Sequence, residues 1–291
     1  MILSPARSLW WDRPMRALII TADDLGIDAR RDDGILLCFA RGAITQASLM
    51  VRGKSAESGA VAARRIGLPM GLHLDLTETP PSAEPSSIAS LLDGEGNKLG
   101  KHGLREAVIR GAVTQEHVER EAEAQIAAFT RLAGAAPRHV DGHQHVHTIP
   151  QLAAWLAPVL ARHGVRTTRI PEQSEVEVDS LQAAAFYRSV VEDGRTSRAV
   201  FAASGITSTE AFIGLDLMGL ASASDRLARA VRESEGESVE LMTHPGFVGE
   251  GIDDFNVSPA REHELRVLMS EPFADAITRG ALKLISFAEL A

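Results

Sequence analysis

The chain has 291 residues, 45% of them hydrophobic, and a formal net charge of −9. That length buries a full core, and (β/α) barrels often reach it as one unit, while the negative excess argues against a nucleic-acid phosphate backbone as partner. No apolar run approaches the ~20 residues of a membrane span, and a single cysteine, Cys38, excludes an internal disulfide and suits a reducing cytoplasm.

Residues 1–15 carry Arg7 and Arg13 and lack a continuous apolar stretch, so they read as a poorly ordered N-terminal extension rather than a secretory signal. A cytoplasmic protein is expected, with residues 16–291 as a single domain. ALIITA (17–22) is apolar and β-branched, too short for a helix, and predicts a buried strand. A helix over 28–41 follows, closed by Gly42. Strands are expected at 44–51 and 70–76, with a helix at 55–66 between them. The stretch 77–113 is rich in Pro, Gly and Ser and reads as a long loop or lid inserted into the domain. Periodicity returns with a helix at 115–133, a strand at 138–145, a helix at 151–163 and the strand VRTTRI (165–170). A helix at 179–192, strands at 199–206 and 211–215, a helix at 219–233, a strand at 239–244, a helix at 260–280 and a strand at 282–287 complete the series. Alternating β and α units predict a parallel sheet in one α/β domain, a distorted, TIM-like (β/α) barrel of about seven strands.

In such folds the working groups collect where strands end, and four polar clusters fall at such ends. Asp23 and Asp24 follow the first strand; two adjacent carboxylates there are costly to bury without a positive partner, unless one of them merely N-caps the next helix. His73 sits mid-strand between Leu72 and Leu74, where an unpartnered imidazole is costly. HVDGHQHVH (139–147) holds four of the ten histidines. Alternation puts Asp141, His143, His145 and His147 on one face if the strand runs that far, and imidazoles two residues apart can share a divalent ion. Which of them bind is left open by the pattern; His139 reads as structural. His244, before Pro245-Gly246, is presented at a strand end as a ligand or a proton donor. Arg169 and Glu172, after the fifth strand, are candidate substrate contacts, unless they pair with each other.

TADDLG, GLHLDLT, HVDGHQHVH and MTHPG, in this order, resemble the YdjC-like carbohydrate deacetylase family, with softer support from ASLMV (47–51), RIPE (169–172) and REHELRVL (261–268). The resemblance implies a seven-stranded barrel-like (β/α) fold and metal-dependent removal of acetyl groups from N-acetylated sugars, chitin-derived oligosaccharides included. By position it implies Asp24, His73 and His143 as metal ligands, Asp23 as general base and His244 as acid. Leu25 stands where that family usually has phenylalanine, and DGHQHVH lacks a common third consecutive histidine; neither departure removes a ligand.

The expected chemistry is amide hydrolysis: a divalent ion polarises the carbonyl and lowers the pKa of a water that Asp23 deprotonates. The family resemblance implies Mg2+, whereas two imidazoles and one carboxylate equally suit Zn2+ or another transition ion. The rival readings are a two-metal phosphoesterase or other amidohydrolase drawing on Asp23, Asp24, Asp75 and Asp141, and a catalytically inactive sugar-binding protein on the same fold. The expected partner is an N-acetylated sugar, with no nucleic acid and no membrane span, and a homodimer is the expected assembly.

Overall fold

Ten residues of β1 (Arg16–Leu25) form the spine of a parallel sheet. Leu18, Ile19, Ile20 and Ala22 are all buried, so both faces of this strand are covered, and its sequence is a continuous apolar run rather than an alternating one. The computed structural model describes residues 16–174, 176, 181–216, 236–249, 258–280 and 282–290. Around β1 lie β2 (Gln46–Leu49), β3 (Met70–Leu74), β4 (His139–Gly142), β5 (Thr167–Thr168), β6 (Ala211–Ile213), β7 (Ser238–Thr243) and β8 (Leu282–Leu284). Their order is β5-β4-β3-β2-β1-β7-β6, with β8 on the first residues of β1. Each pairing between these strands is parallel. The two ends of the path approach each other where Thr167 bridges Thr207, just before β6. Seven strands thus curl into a half-barrel, the distorted (β/α) architecture the alternation predicts.

The helices follow from local signals. α1 (Ala29–Ala40) is N-capped by Asp28, whose side chain accepts from the Arg31 amide, so neither Asp23 nor Asp24 is needed as a cap. α2 (Ala56–Ile66) and α4 (Gln115–Ala133) end at Gly67 and Gly134 in the left-handed conformation. α5 (Pro150–Arg162) starts on a proline, whose missing N–H costs nothing in a first turn.

Several expectations need correction. The stretch 77–113 is more than a loop: it holds α3 (Gly100–Ile109) and two 3-10 turns. Its Ile88, Leu91 and Leu104 are fully buried in the main core, so spaced apolar residues outweigh the Pro/Gly content there. Residues 199–203 belong to α6 (Leu181–Ala203) rather than to a strand, because three alanines and no breaker let the helix continue to the turn at Gly205. The expected helix 260–280 is two, Ala260–Leu268 and Glu271–Arg279, divided ahead of Pro272, which has no N–H for a continuing helix. The expected helix 219–233 and the N-terminal extension 1–15 lie outside the described residues.

Inside the half-barrel the core is polar at one level. Arg169, fully buried, follows β5 and donates from Nη1 and Nη2 to both carboxylate oxygens of Asp23, at 2.6 and 2.8 Å. Its Nε donates to Glu240 of β7 at 2.9 Å, and its Nη2 lies 3.2 Å from Asp141 of β4. The Thr21 hydroxyl also donates to Glu240, at 3.0 Å. One guanidinium therefore compensates three buried carboxylates. All three nitrogens of Arg169 are thus engaged by carboxylates. Glu172 does not pair with it, and accepts instead from Arg195 and Arg198 of α6.

A further buried carboxylate, Asp32 of α1, accepts from the Gly26 amide at 2.6 Å and holds the turn leaving β1. Burial pushes its carboxyl up to about 6.

Replacing Arg169 with Met should lower unfolding free energy by about 3–5 kcal/mol in urea denaturation, because it leaves three carboxylates uncompensated in the interior. Asp32 has a folded-state value above the unfolded ~3.9, so its contribution to stability is full below pH ~3.9 and declines as pH rises through about 6. Asp32→Asn keeps an acceptor for Gly26 and should flatten that decline, by about 2 kcal/mol between pH 4 and 8, in urea midpoints measured across the range.

Candidate metal centre

The site lies at the C-terminal ends of β1, β3, β4 and β7. Pairing of β1 with β2 shifts between Ala22 and Leu25, and Asp24 adopts φ 68°. Neighbours on an extended strand face opposite ways, but this bulge turns both carboxylates toward one imidazole. Nε2 of His73 lies 3.4 Å from Asp24 Oδ1 and 3.9 Å from Asp23 Oδ2. The turn begins at Asp24 itself, two residues before Gly26 with its own positive φ of 90°.

β4 stops at Gly142, where an added Cβ would lie 2.5 Å from His147 Nδ1. The chain then enters a 3-10 turn, with Gln144 and His145 at φ 52° and 59°. Strand alternation therefore does not extend past 142, and the expected shared face of four residues does not form. His143 turns into the site. His145 packs edge-on to Phe212, and the His147 ring Nε2–H donates to the Arg169 carbonyl at 2.9 Å. His139 stacks on Phe287 at 3.7 Å, the structural role its position suggests.

Three ligand atoms converge. Asp24 Oδ1 is 3.3 Å from His143 Nδ1, which is 3.3 Å from His73 Nε2, closing a near-equilateral triangle. The outward nitrogens are taken: His73 Nδ1–H donates to Asp141 Oδ1 at 2.7 Å, and His143 Nε2–H donates to Glu78 Oε2 at 2.7 Å. Each neutral ring then turns a lone pair inward, and Asp24 Oδ1 is buried without a hydrogen-bond partner. Three acceptors facing one another could hold a metal ion. Donors held ~2.0–2.1 Å from one tetrahedral ion stand about 3.4 Å apart, so the residues fit a single Zn-type ion. Two further groupings, Asp23/His73/Asp141 and His139/Asp141/Glu240, draw on carboxylates already held by Arg169.

The electrostatics agree. Against the upward push of burial, His143 and His73 hold the Asp24 carboxyl well below its ordinary range. Against burial's downward push, Asp141 and Asp23 raise His73 to about 9, a pull that favours positive charge at this point. Asp23 is pushed up by burial, with Arg169 and His73 opposing. His244, at the end of β7, places Nε2 3.8 Å from Asp23 Oδ2, and its backbone amide donates to Glu264. Burial pushes His244 well below its usual range, against Asp24 and reinforced by Arg261, Arg31 and Arg169.

The structure thus brings together Asp23, Asp24, His73, His143 and His244, and leaves Glu172 aside, held by Arg195 and Arg198 of α6. It adds groups not singled out from the sequence: Glu240 beneath Asp23, Ser48, whose hydroxyl donates to Asp141, and Glu78 against His143. Asp141 is legible two residues before His143 in the motif. Glu78 carries no such signal, lying in a stretch that reads as a loop.

The YdjC-like protein model matches residues 17–279 of the chain. The carbohydrate deacetylase of Homo sapiens is 39% identical, over 96% of this chain and 92% of its own length. The chitooligosaccharide deacetylase of Serratia marcescens is 29% identical, over 94% of this chain and 99% of its own. A crystal structure from Enterococcus faecalis V583, of a protein named for cellobiose-phosphate cleavage, superposes with a TM-score of 0.71 at 24% identity, covering 96% of this chain and all of that one, a likeness of fold. With a family match over most of its length and a relative close to two-fifths identical, the chain belongs to the YdjC-like protein family.

Proposed function

We propose that the protein is a metal-dependent hydrolase that removes the acetyl group from an N-acetylated sugar, a chitooligosaccharide or related N-acetylglucosamine-containing glycan, releasing acetate and a free amino sugar. The carrying observation is the triangle of Asp24 Oδ1, His73 Nε2 and His143 Nδ1 with Asp23 beside it. Similarity to relatives named carbohydrate and chitooligosaccharide deacetylase supports the substrate class.

Asp24, His73 and His143 would hold one divalent cation, which when bound supplies Lewis-acid polarisation of the amide carbonyl and a more acidic water. Two imidazole nitrogens and one carboxylate favour Zn2+ or a similar transition ion over Mg2+, which prefers an all-oxygen shell. Asp23 is the general base: Arg169 fixes both its oxygens, and burial keeps its affinity for a proton above that of a solvated carboxylate. His244 is neutral at rest and must gain a proton before giving one. Asp23 Oδ2 lies 3.8 Å from its Nε2, a gap one bridging water can span to pass on the proton taken from the attacking water. His244 then donates it to the departing amine nitrogen.

The two-metal reading is disfavoured because Asp23 and Asp141 are engaged by Arg169, and Asp75 by Lys98 and the Thr77 and Thr79 amides. Among the described residues no helix is long and apolar enough to cross a membrane.

Asp23→Asn should retain the ion yet lose about 10²–10⁴-fold in kcat, read as acetate release from a panel of N-acetyl sugars with and without added divalent ions; full activity would remove Asp23 as the base. Asp24→Asn and His143→Ala should lose the ion itself. Elemental analysis of protein purified without chelator should find about one ion per chain, and two tightly held ions would favour the phosphoesterase reading.

A further inference from the structure

Glu78 lies four residues beyond β3, at the start of the stretch 77–113, and its side chain is half exposed. One carboxylate oxygen, Oε2, accepts from His143 Nε2 at 2.7 Å; the other, Oε1, accepts from the Gln144 side chain at 2.8 Å. Both residues it grips lie in the turn where β4 gives way to left-handed backbone at Gln144 and His145. A turn with two such residues costs roughly 1–3 kcal/mol at each and persists only when its surroundings hold it.

The segment carrying Glu78 is itself tightly anchored. Both oxygens of Asp75 accept backbone amides of this segment, from Thr77 at 2.7 Å, Glu78 at 3.0 Å and Thr79 at 2.7 Å. Glu121 of α4 accepts from the amides of Ser82 and Ala83. The buried Lys98 ammonium donates to the Asp75 carbonyl at 2.7 Å and lies 3.2 Å from Glu121. Two carboxylates and a lysine, all buried, therefore hold a short surface segment that reaches the candidate metal centre through the Glu78 carboxylate.

Resting on the single-ion reading above, we propose that Glu78 is a positioning residue for His143. Its carboxylate takes the Nε2–H, fixes the ring's rotation and tautomer, and so keeps the Nδ1 lone pair aimed into the triangle with Asp24 and His73. It does not act as a fourth ligand, because Oε2 sits on the far side of the imidazole from Nδ1. The same job is done for His73 by Asp141, but from the buried interior. One ligand is thus oriented from the barrel core and the other from the inserted segment, which makes that segment part of the metal site.

The test uses the full chain and Zn2+ alone as probe, with Co2+ as a spectroscopic substitute. Glu78→Ala should weaken Zn2+ binding by about 10–100-fold, the usual range for loss of a partner behind a ligating histidine, and should shift the visible Co2+ spectrum. The urea midpoint of the metal-free protein should fall only slightly, since the side chain is half exposed and its bond to Gln144 is one of several holds on the turn. Glu78→Gln, which retains an acceptor oxygen, should recover part of the affinity, and His143→Ala marks the limit of full loss. Equal Zn2+ affinity in parent and Glu78→Ala overturns the proposal. So does a loss of affinity matched by a fall in the metal-free midpoint, which would make Glu78 a fold element only. A parent that binds neither ion sinks the single-ion reading and this proposal with it, whereas a parent that binds tightly beside an unaffected Glu78→Ala sinks this proposal alone.

Discussion

The Arg169 guanidinium is the contact on which the rest of the site depends. It is buried in the half-barrel with Asp23, Asp141 and Glu240 around it. A carboxylate taken out of water is costly unless paired, and a planar fork can compensate more than one at once. With Arg169 in place, and with His73 helping, Asp141 lies well below the ordinary carboxylate range despite its burial. Ionised Asp141 accepts from His73 Nδ1, and that bond turns the Nε2 lone pair toward Asp24. The chain of dependence runs from a buried cation, through a buried anion, to the electronic state of a ligand. The same guanidinium holds both oxygens of Asp23, so the base and the ligand shell share one support.

Local backbone geometry does the remaining aiming. All three non-glycine residues with left-handed backbone among the described residues, Asp24, Gln144 and His145, lie at this site. Each sits where a strand ends and a side chain must be redirected: Asp24 so that two consecutive carboxylates reach one imidazole, Gln144 and His145 so that His143 turns inward. The conformational cost is met by packing and hydrogen bonds that over-determine these turns. Gly26 is held by Asp32, His147 reaches the Arg169 carbonyl, and Glu78 bonds Gln144.

The alternation of strands and helices and the placement of four polar clusters at one edge of the sheet were legible because they rest on short-range signals. Apolar runs of four to eight residues, caps and breakers recur at fixed offsets, and the helix at 115–133 and the N-cap–to–Gly42 span of α1 follow directly from them. The readings that failed asked local pattern to report long-range geometry. Alternation carried past Gly142 puts His145 and His147 beside His143, whereas the contact of Gly142 with His147 forces the strand to end. The partners of Arg169 in RIPE come from positions 23, 141 and 240, which no local pattern around it reports. Glu78 has no periodic or compositional signature, because its significance lies in a histidine sixty-five residues away.

By itself, the sequence determined the kinds of chemistry available: adjacent carboxylates after a buried strand, imidazoles at strand ends, and a parallel α/β scaffold that gathers such ends on one edge. Hydrophobic periodicity and turn chemistry are local properties, and they suffice for that much. Only the tertiary structure decided which lone pairs point inward, which carboxylates are already neutralised by Arg169, and therefore which three atoms are left facing one another. Those outcomes depend on pairwise electrostatics and packing between residues far apart in the chain, which no window of sequence contains.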